Sequence, residues 1–331
     1  MLDFKFLNRE QLFSDEKLSI IEKRGTKAAL TDFAIILGAF VSDDYYLDNS
    51  NEDLKDRAGC YWTYSDDKDD NAYVVDCGGW LRGGYDYVCV NNRTVAARPV
   101  LSFSTIYNIP ISGVAIKAED KILEVEYGYY PQYAVNEYMQ QELERIYKTG
   151  KLLKTDNTFT IDSRKNGDDN CFLPKTIDEY KYKDKRYVRV ITNSESGVKL
   201  SNLRHYPNGA AVWVEVQPIK WLIDEEEKIM ISDKLLFAGV QFKNEIDYKG
   251  DFNSTDIKWF MNTFFSKELV QSISEKKKDN VELQDENSSI SNFDINLETA
   301  LRIILSAKEN NQKIELHTFD KEEKQKVYTI K

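Results

Sequence analysis

Residues Ala58–Ser104 read "AGCYWTYSDDKDDNAYVVDCGGWLRGGYDYVCVNNRTVAARPVLSFS". Four short segments in this window, "GCYWTYS", "NAYVVDC", "YDYVCV" and "VAARPVLSF", are rich in β-branched and aromatic residues. They are divided by "DDKDD", "GGWLRGG" and "NNRT", where Gly, Asp and Asn supply turn chemistry. Short strands punctuated in this way predict a β-rich module. The Arg98-Pro99 pair limits pairing near its end, because proline has no N–H to give a ladder. If "YWTY" is a strand, Tyr61 and Thr63 share one face and Trp62 and Tyr64 the other. One face is then expected in the core and the other on the sheet surface.

Towards the N-terminus, Leu12, Leu18 and Ile21 with a stop at Gly25 predict a short helix within residues 1–27. Ala28–Phe40 is too continuously apolar to divide by period, so it reads as a helix end or a buried strand. Val41–Arg57, "VSDDYYLDNSNEDLKDR", is polar and reads as a loop. Towards the C-terminus, Glu124–Val135 reads as a strand entering a turn at Tyr130-Pro131. Tyr138, Leu143, Ile146 and Tyr147 recur at helical spacing and stop at Gly150. "TFTIDS", "RYVRVIT", "AAVWVEVQPIKWLID" and "KIMISDKLLFAGVQF" read as strands. Ser254 is placed to cap a helix with Ile257, Phe260, Met261, Phe264 and Phe265 on one face. Ser274–Asn292 is charged and without period, as a linker is. A helix, "NLETALRIILSAKENN", and a strand, "KIELHTF", follow it.

The chain has 331 residues, of which 41% are hydrophobic and 31% charged, the balance of a soluble globular protein with a sizeable core. Its 45 basic and 56 acidic side chains give a net charge of −11. That charge argues against a nucleic-acid backbone as direct ligand, which needs clustered Lys and Arg. The N-terminus has no basic region followed by an apolar run. The apolar stretch "FAIILGAFV" is too short to span a bilayer. A cytoplasmic protein with no membrane partner is therefore expected, its cysteines reduced. Cys60, Cys77, Cys89 and Cys171 lack C-x-x-C spacing and only His205 and His317 accompany them, so neither metal nor cofactor is expected. The cysteines read as small buried hydrophobes.

Other chemistries find little local support. Asp66, Asp67, Asp69 and Asp70 crowd one turn, where acids are usually solvated. They lack a partner for glycosidase chemistry and the spacing of a known calcium loop. There is no G-x-S-x-G, and a triad set by geometry alone stays open. "GGWLRGG" has no following helix and matches no phosphate loop. It reads either as a flexible connection displaying Trp80 and Arg82, the residue types of binding hot spots, or as a loop whose Trp80 folds back onto the core.

Two groups of motifs then suggest a family. "GCYWTYSDDKDDNAYVVDCGG" followed by "VAARPVLSF" resembles the closing half of C-type-lectin-like domains found in uncharacterised bacterial and phage proteins. The formylglycine-generating-enzyme-like fold shares that layout. "EVEYGYYPQ" (Glu124–Gln132), "PIKWLIDEEEKIMISDKLLF" (Pro218–Phe237) and "STDIKWFMNTFF" (Ser254–Phe265) are similar to further motifs of the same family. Together the matches span most of residues 55–270, in permuted order, with the usual opening half second. Enzymes of the wider fold use a close cysteine pair, which does not map onto this sequence.

The resemblance implies an α+β fold. Its C-type-lectin-like core is built of short mixed or antiparallel strands with flanking helices, and a small α/β appendage follows. The segments expected are 1–115, a β-rich half with an N-terminal helix; 116–272, a second β-rich half with helices; 273–293, a linker; and 294–331, the appendage. The function expected is non-enzymatic: a binding module of phage or gut-bacterial type that displays loops to a protein partner or other ligand. Tyr64, Asp66, Asp67, Trp80, Arg82 and Tyr85 are the candidate binding residues, because function concentrates on loops held by a scaffold. Three competitors stay open. One is an acidic inhibitor that mimics phosphate or blocks the groove of a basic defence or nucleic-acid enzyme. The second is a hydrolase or lectin that uses the turn of Asp66, Asp67, Asp69 and Asp70. The third is a virion structural component, which would form an oligomer.

Overall fold

The computed structural model describes residues 2–48, 50, 52–64, 72–83, 92–102, 116–119, 122–163, 173–194, 196–224, 226–243, 251–269, 314–319 and 325–330, with backbone alone at 116–119, 122, 123, 125, 314–319 and 325–330. Its centre is the strand Ala211–Asp224, "AVWVEVQPIKWLID". Most of its residues on both faces are buried, so an apolar run that defies simple alternation is what such a strand requires. One edge of it pairs antiparallel with Ile122–Ala134, from Leu123 opposite Ile223 to Ala134 opposite Val214. The other edge is divided between Lys185–Ile191, which takes the first half, and Ile229–Ser232, which takes the second.

The sheet continues outward on both sides. Beyond Lys185–Ile191 lie Pro174–Tyr182 and Leu153–Asp162; beyond Ile229–Ser232 lie Val100–Ser102 and Phe4–Lys5. With Ile116–Glu119, which pairs with Ile122–Ala134, strands from both halves of the sequence therefore share one nine-stranded sheet. A single buried cluster runs from Leu2 to Leu269. The strand at Val100 begins immediately after Pro99, whose carbonyl still accepts from the Ser232 N–H.

Smaller sheets complete an α+β architecture of mostly antiparallel strands with few helices. Tyr61–Thr63, Tyr73–Val75 and Leu81–Arg82 form a three-stranded sheet. Lys234–Leu235, Ala29–Leu30, Arg57–Gly59 and Val41–Tyr46 form a four-stranded one, in which the first two strands are parallel. Ile314–Phe319 pairs with Gln325–Ile330. The expected linker and the helix "NLETALRIILSAKENN" lie outside the described residues.

The apolar stretch Ala28–Phe40 holds both of its alternatives in turn. A two-residue strand, Ala29–Leu30, is followed by the helix Asp32–Ile36, with the Thr31 side chain accepting from the Ala34 N–H. Everything in that helix is buried, which removed the helical period from the sequence. The N-terminal region forms two helices, Arg9–Phe13 and Ser19–Arg24. Asn8 and Gln11 make a reciprocal capping box on the first.

Three expectations are corrected. Val41–Tyr46 is an edge strand against Arg57–Gly59 rather than loop; its acids point to water, and edge strands carry such residues readily. Tyr130-Pro131 is no turn: the strand runs through to Ala134. Register shifts fall between Glu126 and Tyr129 and between Pro131 and Tyr133, so proline sits beside an irregularity that relaxes the ladder. The helix near residue 254 is capped by Thr255, whose side chain accepts from the Lys258 N–H, and it widens into a π-turn at Met261–Phe265.

The helix Glu137–Lys148 covers a second, smaller core of Val135, Leu143, Leu152, Tyr187 and Trp213. The Gln140 side chain accepts from the Trp213 N–H at 2.8 Å and donates to the Trp213 carbonyl at 2.8 Å, as a neighbouring strand would. No helix among the described residues is long and apolar enough to cross a membrane.

Candidate functional site

The turn Asp76–Trp80 joins the second and third strands of the three-stranded sheet, and the Asp76 carboxylate organises it. One oxygen, Oδ1, accepts from the Gly78 and Trp80 N–H groups, each at 2.9 Å. The other, Oδ2, accepts from Arg82 Nε at 2.7 Å. The Asp76 backbone closes the turn, donating to the Trp80 carbonyl and accepting from the Gly79 N–H. Asp is suited to this role because its short side chain reaches its own backbone two residues on.

Gly79 is required where it stands. Its φ is +85°, and an added Cβ would come within 2.7 Å of Thr26 Oγ1. The Thr26 hydroxyl instead donates to the Gly79 carbonyl at 2.6 Å. The Tyr61 hydroxyl donates to the Thr26 carbonyl at 2.6 Å, and buried Arg98 donates from Nε to the Ser232 carbonyl at 3.1 Å while its guanidinium lies 5.5 Å from the Tyr61 ring centre. Burial pushes the Tyr61 phenol above its usual pKa even with Arg98 beside it, so the hydroxyl stays protonated as a donor. The turn is thereby tied to the central sheet through Thr26, Tyr61 and Arg98.

On this anchored turn Trp80 is 68% exposed. Its ring does not fold back onto the core. A groove of about 650 Å³ runs beside it, lined by Arg9, Glu10, Phe13, Ser14, Trp80, Leu81 and Arg82. The first four come from the N-terminal helix and its cap, so the groove joins two parts of the sequence that the linear reading kept separate. Nothing in the sequence placed Phe13 beside the same groove as Trp80.

Arg82 also lines the groove, and "GGWLRGG" is not wholly a connection, since Leu81 and Arg82 form a strand against Val74 and Val75. Tyr64 does not line the groove. It is half-buried, makes an isolated parallel bridge with Asn8, and places its ring 5.2 Å from Phe252. The expected division of "YWTY" into an inner and an outer face also fails, because Tyr61, Trp62 and Thr63 are all buried. Trp62 meets Phe242 on one side, and Tyr61 meets Arg98 on the other. Asp66, Asp67 and Tyr85 lie outside the described residues.

Of the cysteines read as small buried hydrophobes, Cys77 is buried in the core and Cys60 packs against it, while Cys89 and Cys171 lie outside the described residues. Cys60 and Cys77 sit at the end of the ladder in which Tyr61 pairs with Val75, and their sulfurs are 3.2 Å apart. Cys77 is buried and Cys60 half-buried. The hydrogen bond from Cys77 holds the Cys60 thiol below its usual pKa, while the same bond and burial raise that of Cys77. No C-x-x-C spacing announced the pair because an antiparallel hairpin brings it together. Among the described residues no three His, Cys, Asp or Glu side chains converge as a metal site would need. His205 is exposed, with its Nε2 3.2 Å from the Ser196 carbonyl.

A second cleft, of about 580 Å³, is lined by Ile35 and Leu37 at the end of the helix Asp32–Ile36 and by Ser194, Ser196 and Lys199, with Arg57 and Arg93 on its walls. Arg57 is engaged there, donating to the Lys199 carbonyl at 2.7 Å. Beneath it Asp32 is buried and accepts from the Ala134 N–H, the Ser201 N–H and the Ser201 hydroxyl. Desolvation nevertheless raises its pKa above the ordinary value of an aspartate. This cluster fastens a helix to the end of the strand Ile122–Ala134 and to the turn at Ser201.

No protein-family model, no curated protein and no solved structure matches this chain.

Proposed function

We propose that this protein is a non-enzymatic binding module, a permuted C-type-lectin-like scaffold that presents the Trp80–Arg82 turn to a protein partner. The observation that carries this reading is the exposure of Trp80 on a turn whose backbone is fixed by Asp76. An indole held in water gains nothing for the fold. A large aromatic that is already ordered loses little entropy on binding, which is why Trp and Arg dominate hot spots. Phe13 and the Arg9 and Glu10 side chains around the groove supply an apolar second wall and a polar rim. The charge of −11 describes the chain as a whole; the groove carries both signs.

The test is capture of partners from the native host by the full chain, compared with a Trp80→Ala/Arg82→Ala double variant. The parent is expected to retain a defined partner that the double variant loses, while the two melt alike. Equal capture by both would remove this surface from the function.

A further inference from the structure

We propose that Cys60 and Cys77 form a reversible dithiol–disulfide site that exchanges with a low-molecular-weight disulfide entering the cavity beside Cys60. The first support is geometry. The sulfurs are 3.2 Å apart, and a disulfide needs about 2.05 Å. Both residues lie at the same end of one hairpin, one residue past the Tyr61–Val75 pair on one strand and two on the other. The remaining approach is small enough for side-chain rotation.

The second support is access. A cavity of about 430 Å³ is lined by Cys60 together with Phe40, Val74, Asp76, Arg82 and Thr94. Cys77 does not line it. The pair is therefore asymmetric, with half-buried Cys60 at the cavity and Cys77 buried away from its lining. Thiol–disulfide exchange needs this arrangement of an attacking and a resolving thiol. The depressed pKa of Cys60 and the raised pKa of Cys77 assign the roles in the same sense.

The exchange has two steps. The Cys60 thiolate attacks one sulfur of the small disulfide. A bond forms from Cys60 Sγ to that sulfur, the original S–S bond breaks, and the departing thiolate takes up the proton that Cys60 gave to water. Cys77, losing its proton to solvent, then attacks Cys60 Sγ and displaces the second small thiolate, which is protonated in turn. Two protein thiols are oxidised to one disulfide, and one small disulfide is reduced to two thiols.

The test uses the full chain in a series of oxidised-to-reduced glutathione ratios, quenched with acid, denatured, alkylated and mapped by peptide mass. Alkylation of Cys60 and Cys77 is expected to be lost together as the ratio rises. A peptide linking them appears, and reduced glutathione restores both thiols. Cys77→Ser is expected to accumulate one glutathionyl group on Cys60, and Cys60→Ser none on Cys77. Full alkylation of both residues across the series would overturn the proposal, as would a link from either to Cys89 or Cys171, or a Cys77→Ser protein that takes up no glutathione. The series on the parent protein needs neither variant, so it decides the question even where a variant does not fold. The readout is thiol chemistry, independent of whether the Trp80 surface captures a partner.

Discussion

Asp76 and Trp80 are joined twice: the Asp76 carboxylate accepts from the Trp80 N–H at 2.9 Å, and the Asp76 N–H donates to the Trp80 carbonyl at 2.9 Å. The indole owes its fixed position to this double link and to the Gly79 carbonyl held by Thr26. Asp76→Ala is expected to leave the fold standing, because the carboxylate is partly solvated and its ion pair with Arg82 is half exposed. The change should appear locally, as faster amide hydrogen exchange at Gly78 and Trp80 with core amides unaltered. Asp76→Asn keeps the oxygen that accepts from both amides and should exchange at an intermediate rate. Protection unchanged in Asp76→Ala would mean that the turn is fixed by something else.

Two tryptophans of the same chain should respond oppositely to truncation. Trp80 is 68% exposed, so Trp80→Ala is expected to shift unfolding free energy by no more than about 0.5 kcal/mol, as surface substitutions do. Trp221 is buried beside Phe4, and its Nε1 donates to the Tyr127 carbonyl at 2.8 Å. Trp221→Ala should cost about 3–5 kcal/mol. Urea denaturation of both variants checks the pair. A large loss for Trp80→Ala would show that the indole serves the fold, and the proposed function would lose its main support.

Much of the sheet was legible because its strands announce themselves by composition. "AAVWVEVQPIKWLID" and "RYVRVIT" appear where β-branched and aromatic runs placed them, whereas "KIMISDKLLFAGVQF", read as one strand, yields two short strands, Ile229–Ser232 and Lys234–Leu235, in different sheets. Misreadings occurred where tertiary context overrules a local signal. Val41–Tyr46 is polar because it is an edge, and Pro131 is tolerated because the ladder is irregular beside it. The site was half legible. Trp80 and Arg82 stood out as hot-spot residues between glycines, but Phe13 and the Cys60–Cys77 pair depend on contacts across the fold, for which a single sequence carries no periodic mark. Asp76 could have been found from the pattern of an Asp two residues before Gly78 and four before the Trp, which is Asx-turn chemistry.

Asp32 should be costly to remove. It is buried, and three donors from Ala134 and Ser201 converge on its carboxylate. Asp32→Ala leaves the buried Ala134 N–H and the partly buried Ser201 N–H without their acceptor, for a loss on the order of 3 kcal/mol. Asp32→Asn retains one carbonyl oxygen and should fall between parent and Ala. Thermal denaturation orders the three proteins, and an Ala variant as stable as the parent would show that water replaces the carboxylate at this junction.

Glu268 gives the clearest pH dependence. Its side chain is buried; Oε1 accepts from the Thr160 N–H at 2.6 Å, while Oε2 and the Tyr130 hydroxyl have no hydrogen-bond partner among the described residues. Desolvation raises its pKa to about 8, whereas in the unfolded chain it returns to the ordinary value of about 4.3. Between those values the folded protein binds a proton that the unfolded chain has released, so stability falls as pH rises. The contribution of this group is fully present below the lower value and declines by up to about 1.4 kcal/mol per pH unit across the window. Above the upper value it changes no further. Glu268→Gln keeps the carbonyl acceptor for Thr160 and cannot ionise. The variant should match the parent near the acidic end of the window and exceed it increasingly towards the alkaline end. Urea denaturation at several pH values across the window measures that divergence, and parallel curves for the two proteins would show that Glu268 ionises in the fold as readily as in water.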